Sequence, residues 1–122
     1  MKNLFLICLL LLASVVLAAD ASPVVGTWKM HTSIAGNEND QECTFTQKDT
    51  TLGGTCKTEK GDLALKGTVD GKKVSWQYEV KFNGSPLTLV FTGTLEPATR
   101  MSGTIEVQPM GVPGDFTALK AK

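Results

Sequence analysis

The sequence predicts an all-β protein, an eight-stranded antiparallel up-and-down β-barrel. Three observations carry this. Downstream of the N-terminal segment, apolar and polar residues alternate in run after run, with no convincing helical period. Tight-turn signals separate the runs, most clearly Asp70-Gly71 and Asn83-Gly84. A glycine–threonine–apolar triplet recurs at Gly26-Thr27-Trp28, Gly54-Thr55-Cys56, Gly67-Thr68-Val69, Gly93-Thr94-Leu95 and Gly103-Thr104-Ile105. In each copy the glycine and the apolar residue share one strand face and the threonine takes the other.

The N-terminal segment has a different character. Met1-Lys2-Asn3 is a short basic start, Leu4 to Leu17 is an apolar run, and small residues follow at Ala18, Ala19 and Ala21. This is the pattern of a secretory signal peptide. We assign residues 1–19 to the signal and 20–122 to the barrel domain, with cleavage after Ala18 or Ala19 and Ala21 as the third option. The apolar run is shorter than the ~20 residues of a membrane-spanning helix, so no span is expected after signal removal. Cys8 lies inside the run and leaves with it. The expected location is secreted or periplasmic.

The 122 residues carry 12 basic and 12 acidic side chains without long runs of either sign. That balance argues against a nucleic-acid partner or an anionic membrane surface. About 100 residues remain for one modest core. Cys43 and Cys56 form an even pair in an exported chain, which reads as one disulfide.

The strands follow in order. The first runs from Val24 to Thr32, with Val24, Gly26, Trp28 and Met30 on one face. A polar loop, Ser33 to Asp40, follows. The second strand carries Cys43, Phe45 and Gln47, and turns at Asp49-Thr50. This turn sets Cys43 opposite Cys56, near the ~5.5 Å Cα spacing a disulfide accepts. The short loop it closes implies about 2–3 kcal/mol of stabilisation. The third strand carries Leu52, Gly54, Cys56 and Thr58, and the fourth Leu63, Leu65, Gly67 and Val69. The fifth is the clearest: Val74, Trp76, Tyr78, Val80 and Phe82 alternate with Ser75, Gln77, Glu79 and Lys81. The sixth carries Leu87, Leu89, Phe91, Gly93 and Leu95, and the seventh Met101, Gly103, Ile105 and Val107. A Gly- and Pro-rich loop, Pro109 to Asp115, leads to a last strand with Phe116 and Ala118.

Two-residue turns then fix registers. Asn83-Gly84 pairs Val80 with Leu87, Tyr78 with Leu89 and Trp76 with Phe91. Asp70-Gly71 pairs Gly67 with Val74 and Leu65 with Trp76, and Lys60-Gly61 pairs Gly54 with Gly67. Every pairing sets apolar face on apolar face, which a one-residue slip would destroy. Eight such strands in hairpin order favour a closed barrel over a two-sheet sandwich. Across these registers Trp28, Phe45, Gly54, Gly67, Val74, Gly93 and Gly103 form one row. The glycines either make room for the Trp28 and Phe45 rings, permit the coiling of a small barrel, or wall a ligand space.

With Gly26-Thr27-Trp28 at the head of its first strand, the exported meander resembles the calycins, the lipocalin and avidin group of barrels. The Ser33–Asp40 loop is similar to the loop that overhangs a lipocalin mouth. The stretch from Gly93 to Lys122 is similar to short lipocalin-like barrels of exported bacterial proteins. The polar and tryptophan-rich set that avidins use for biotin is missing, so biotin binding is not carried over. The chain also looks like the small exported barrel that inhibits bacterial metalloproteases, in its Gly-x-Trp start and its one early disulfide.

The chemistry-bearing residues are sparse. His31 is the one histidine and alternation turns it outward, which leaves it neither a zinc set nor a base with an orienting partner. The carboxylates Glu59, Asp62, Asp70, Glu96 and Asp115 fall at strand ends and turns. Cys43 and Cys56 have no CxxC spacing for a redox or metal role. Asn83-Gly84-Ser85 matches a glycosylation acceptor, weakened by the tight turn and by Pro86. No catalytic residues, metal site or cofactor are expected, and an enzyme is not expected.

Alternate turns lie at one end of a meander. The end bearing Ser33–Asp40, Lys60-Gly61, Asn83-Gly84 and Pro109–Asp115 has the two long loops and is the expected mouth. Inward residues near it are Met30, Leu63, Tyr78, Phe82, Leu87, Val107 and Phe116. They suit a small apolar or aromatic ligand, with the Tyr78 hydroxyl as the polar handle. A packed core of the same residues is the equal alternative. A second functional reading is a protein partner or protease, engaged by the mouth loops or by an exposed N-terminal segment, Ala21–Val24.

Overall fold

The computed structural model describes residues 23–59 and 61–121. The assigned signal peptide lies outside the described residues. The elements are β1 (Gly26–Ile34), β2 (Asn37–Lys48), β3 (Thr51–Thr58), β4 (Gly61–Asp70), β5 (Lys73–Phe82), β6 (Ser85–Leu95), β7 (Arg100–Gln108) and β8 (Val112–Lys120). Each pairs antiparallel with the next, and β1 pairs with β8 from Trp28↔Lys120 to Ile34↔Gly114. The result is a closed eight-stranded up-and-down barrel with no helix among the described residues. Closure removes the bare edges that an open sheet would leave.

The β5–β6 hairpin has the expected register, with Val80↔Leu87, Tyr78↔Leu89 and Trp76↔Phe91. Asn83 and Gly84 have φ of 53° and 81°, the positive pair that a type I′ turn demands. Val74↔Gly93 and Gly93↔Gly103 also pair as expected. Cys43 faces Cys56 and the two form a disulfide. Their Cα atoms are 4.0 Å apart, nearer the narrow spacing of a non-hydrogen-bonded pair than 5.5 Å.

Two registers differ. The β4–β5 turn is Gly71-Lys72 rather than Asp70-Gly71, so Gly67 meets Trp76 and Val69 meets Val74. In β3–β4, Gly54 meets Leu65 and Leu52 meets Gly67. Both slips are of two residues, and a strand's side chains alternate with a period of two, so the apolar faces are kept. The glycine row is broken by these slips. It is also broken at its start, where Phe45 lies opposite Gly26 and Trp28 opposite Cys43.

The expected loops are also shorter. Ser33 to Asp40 is not a loop: Ile34 pairs with Asn37 across a two-residue turn at Ala35-Gly36, with φ of 51° and 84°. Polar composition concealed a strand whose outer face, and upper inner face, meet water. Pro109 to Asp115 shrinks to a turn over 109–111, closed by Gly111 N–H donating to the Val107 carbonyl at 2.7 Å. β8 begins at Val112, earlier than expected.

The interior is solid at one end. Trp76 stacks on Phe91, with centroids 5.0 Å apart and 9° between planes. Phe45 and Phe116 meet Trp76 edge-on at 4.9 and 5.3 Å. Such pairs add about 0.5–1.5 kcal/mol each beyond their burial. Leu52, Val69, Val74, Leu95 and Met101 pack below these rings. Val24 is fully buried, and its carbonyl accepts from the Trp28 indole N–H at 2.9 Å. Lys120 donates to the Pro23 carbonyl at 2.8 Å and lies over the Trp28 ring. The N-terminal residues 23 and 24 are therefore part of the base of the barrel. An exposed segment reaching to Val24 is excluded.

Glycines let the strands coil around this core. A Cβ on Gly67 would stand 1.8 Å from the Ser75 carbonyl oxygen, and one on Gly103 1.9 Å from that of Thr92. At Gly93 the space is used by a ring, since a Cβ would meet Phe116 at 2.7 Å. The filling ring is thus Phe116, not Trp28 or Phe45. We expect Gly67→Ala and Gly103→Ala each to lose about 1–3 kcal/mol of unfolding free energy. Gly53→Ala, whose Cβ would meet only the Thr46 hydroxyl at 3.4 Å, should be neutral or stabilising by up to about 1 kcal/mol. Chemical denaturation of the three variants reads the difference. Removing the disulfide, which spans 13 positions, by Cys43→Ala with Cys56→Ala should cost about 3 kcal/mol by the same measurement.

Candidate functional site

Above the aromatic rings the barrel is hollow. Tight turns at 35–36, 83–84 and 109–111 and the β3–β4 connection edge its open end. A cavity of about 370 Å³ opens between them. This is the end expected to be the mouth, although no long loop overhangs it.

Five of the seven expected lining residues border the cavity: Leu63, Tyr78, Phe82, Leu87 and Val107. Met30 and Phe116 do not. Each is 2% exposed and buried in the core. They lie one step deeper along β1 and β8, where the rings already fill the bore. Val80 and Leu89 continue the apolar wall. Phe82 and Met110 form an apolar lip, 56% and 60% exposed.

The facing wall is polar, and the sequence reading missed it. Asn37, Asn39 and Gln41 share the inward face of β2 with Cys43, and all three border the cavity. They pair with Ile34, Thr32 and Met30 of β1. The Thr32 hydroxyl donates to the Asn39 carbonyl at 3.3 Å. The available signal was the alternation itself: Asn37, Asn39, Gln41, Cys43 and Phe45 continue a single face.

Tyr78 joins the two walls. Its hydroxyl donates to Gln41 Oε1 at 3.1 Å. Burial raises its pKa above the usual 10, only partly opposed by the Gln41 hydrogen bond, so the phenol stays neutral at ordinary pH.

Outside the wall, His31 is exposed as expected but not solitary. Its Nδ1 meets Asp40 and its Nε2 meets Glu38, each at 2.7 Å. The Asp40 hydrogen bond, then that of Glu38, raises the imidazole pKa above 6.5. The two acids sit on opposite ring nitrogens and share no point where an ion would meet all three. Among the described residues, no group of three or more His, Cys, Asp or Glu side chains is placed to hold a metal ion. The raised pKa means that the clasp is fully engaged below pH ~6.5 and lost as pH rises through the folded-state value. An NMR titration of His31 should give a midpoint above 6.5, returning to the ordinary value when Glu38→Gln and Asp40→Asn are combined. A wild-type midpoint at or below 6.5 contradicts the clasp.

Solved structures share this fold. The redesigned β-barrel b11L5F_LGL matches with a TM-score of 0.68 at 14% identity, over 82% of this chain and 93% of that one. The chain has the fold of these redesigned barrels. The barrel mFAP1, solved bound to DFHBI, matches with a TM-score of 0.63 at 15% identity, over 80% and 95% of the two chains. For mFAP0, also bound to DFHBI, the values are 0.60, 13%, 81% and 100%. No protein-family model and no curated protein matches the chain. No helix of the described residues is long and apolar enough to cross a membrane.

Proposed function

We propose that the protein is an exported, non-catalytic binding barrel of the calycin kind that holds a small apolar or aromatic ligand at its open end. The observation that carries this reading is the cavity of about 370 Å³ above the ring cluster, with a mainly apolar wall and a few convergent polar groups. That volume lies within the ~300–1,000 Å³ range of small-molecule sites. The fold neighbours mFAP1 and mFAP0 were solved bound to DFHBI, which supports a ligand-holding role for a barrel of this fold. A disulfide is compatible with an exported chain. The single histidine is held on the outer face of the barrel by two acids.

The protein-partner reading has less to rest on: the described mouth turns are short and Val24 is buried, while Ala21 and Ser22 lie outside the described residues.

Native mass spectrometry of protein purified from its natural source should reveal a co-purifying small molecule. A panel of small aromatic probes should perturb tryptophan fluorescence. Leu87→Trp narrows the cavity from a half-buried position and should weaken probe binding about tenfold or more, with a small change in melting temperature. If no molecule co-purifies and the panel leaves fluorescence unchanged, the ligand reading is wrong.

A further inference from the structure

Resting on that reading of the cavity, we infer that its ligands are uncharged ring compounds bearing a hydrogen-bond acceptor, and that the Gln41 carboxamide is the donor that reads it.

The argument starts from how Gln41 is held. Tyr78 donates to its Oε1 at 3.1 Å, which fixes the carbonyl end of the amide. The amide nitrogen is then turned to the Met30 thioether sulfur, 3.8 Å away. A thioether is a weak acceptor. Flipping the amide would set its carbonyl oxygen against the sulfur lone pairs, so the orientation is fixed from both ends. The nitrogen carries two N–H groups, and a thioether engages one of them poorly. A strong donor thus lacks a strong acceptor in a residue that borders the cavity. Part-buried polar groups of this kind favour a partner that supplies the missing bond.

Charge narrows the class. Among the described lining residues the acidic side chains are Asp40 and Glu59, and there is no lysine or arginine. Glu38 stands beside Asp40 on the same His31 clasp. An anion entering here loses its hydration against a mainly apolar wall, and no lysine or arginine among the described lining residues pairs with it; the His31 imidazole is already engaged by Asp40 and Glu38. The Tyr78 phenol, kept neutral by burial, directs its O–H to Gln41 Oε1 and so offers no second donor to the cavity. Leu63, Leu87, Leu89 and Val107 line the same cavity and supply apolar surface for a ring. The size, near the low end of small-molecule sites, suits one or two fused rings.

A matched series tests this: 2-acetylnaphthalene, 2-ethylnaphthalene and 2-naphthoate, titrated calorimetrically into the full barrel domain. They present, on one ring system, a neutral acceptor, an apolar near-isostere and an anion. In the wild type the acetyl compound should bind about tenfold more tightly than the ethyl compound, and the naphthoate most weakly. Gln41→Leu combined with Tyr78→Phe, which removes the hydroxyl that Gln41→Leu alone would free, should abolish the acetyl preference while leaving ethyl binding unchanged or tighter. Tyr78→Phe alone, which frees the amide from its anchor, should reduce the preference at least about threefold, and carries the test if the double variant does not fold. Equal binding of acetyl and ethyl compounds overturns the assignment but leaves the cavity as a ligand site. So does a preference that survives in both variants, or tightest binding by the naphthoate. If none of the three binds, the ligand reading fails and this inference with it.

Discussion

The stack of Trp76 on Phe91, edged by Phe45 and Phe116, decides where this barrel is solid and where it is hollow. An eight-stranded barrel has an interior just wide enough to fill with side chains or to hold one small ligand. Here both outcomes coexist in one bore. The rings occupy the lower half, and leucine, valine and methionine side chains close the base beneath them. Toward the open end the inward residues shorten to Leu63, Val80, Leu87 and Leu89, which cannot span the same width. The cavity is therefore the space above the stacked rings, with Tyr78 in its wall and Phe82 at its lip.

The glycines belong to the same constraint. Gly67 and Gly103 each admit a neighbouring carbonyl to within 2 Å of where a Cβ would stand, an approach that any other residue blocks. This lets the sheet coil tightly enough to close around a ring cluster. Gly93 acts differently, yielding its side-chain volume to Phe116. Closure in turn fixes the Trp28↔Lys120 seam, where Lys120 reaches across to the Pro23 carbonyl and covers the Trp28 ring. The base is tied by side chains from both ends of the chain. The mouth is tied mainly by turns and by the exposed His31 clasp.

Much of this was legible in the sequence because alternation survives errors that turn chemistry does not. The apolar faces of β4 and β5 are as expected although their turn lies elsewhere: a two-residue slip restores every face. The same tolerance hid the slip, since no clash of polarity betrayed it. The Cys43–Cys56 pair and the Asn83-Gly84 hairpin were legible because each is fixed by local geometry. The Trp28–Phe45 partnership was not, because it depends on where β1 and β2 turn. That turn, Ala35-Gly36, lies in a polar stretch that composition marks as loop. Met30 and Phe116 were misplaced for another reason. Facing follows from parity, but depth along the bore depends on strand tilt and stagger, which a linear pattern does not carry.

The most informative error is the one at β2. A strand whose inward positions read Asn37, Asn39, Gln41, Cys43 and Phe45 passes from polar to apolar along a single face. In a uniformly packed barrel the polar half is a fault, because buried amides without partners cost about 1–3 kcal/mol each. It is tolerable only where the interior is open to water or to a ligand. Inward polarity and the height at which the rings end are thus two records of one boundary. Asn37 and Asn39 stand above it, exposed at the mouth. Gln41 stands at the boundary itself, bonded to Tyr78 on one side and resting on the Met30 sulfur on the other. An inward-facing polar run at the end of a barrel strand is therefore better read as the rim of a hollow than as a loop.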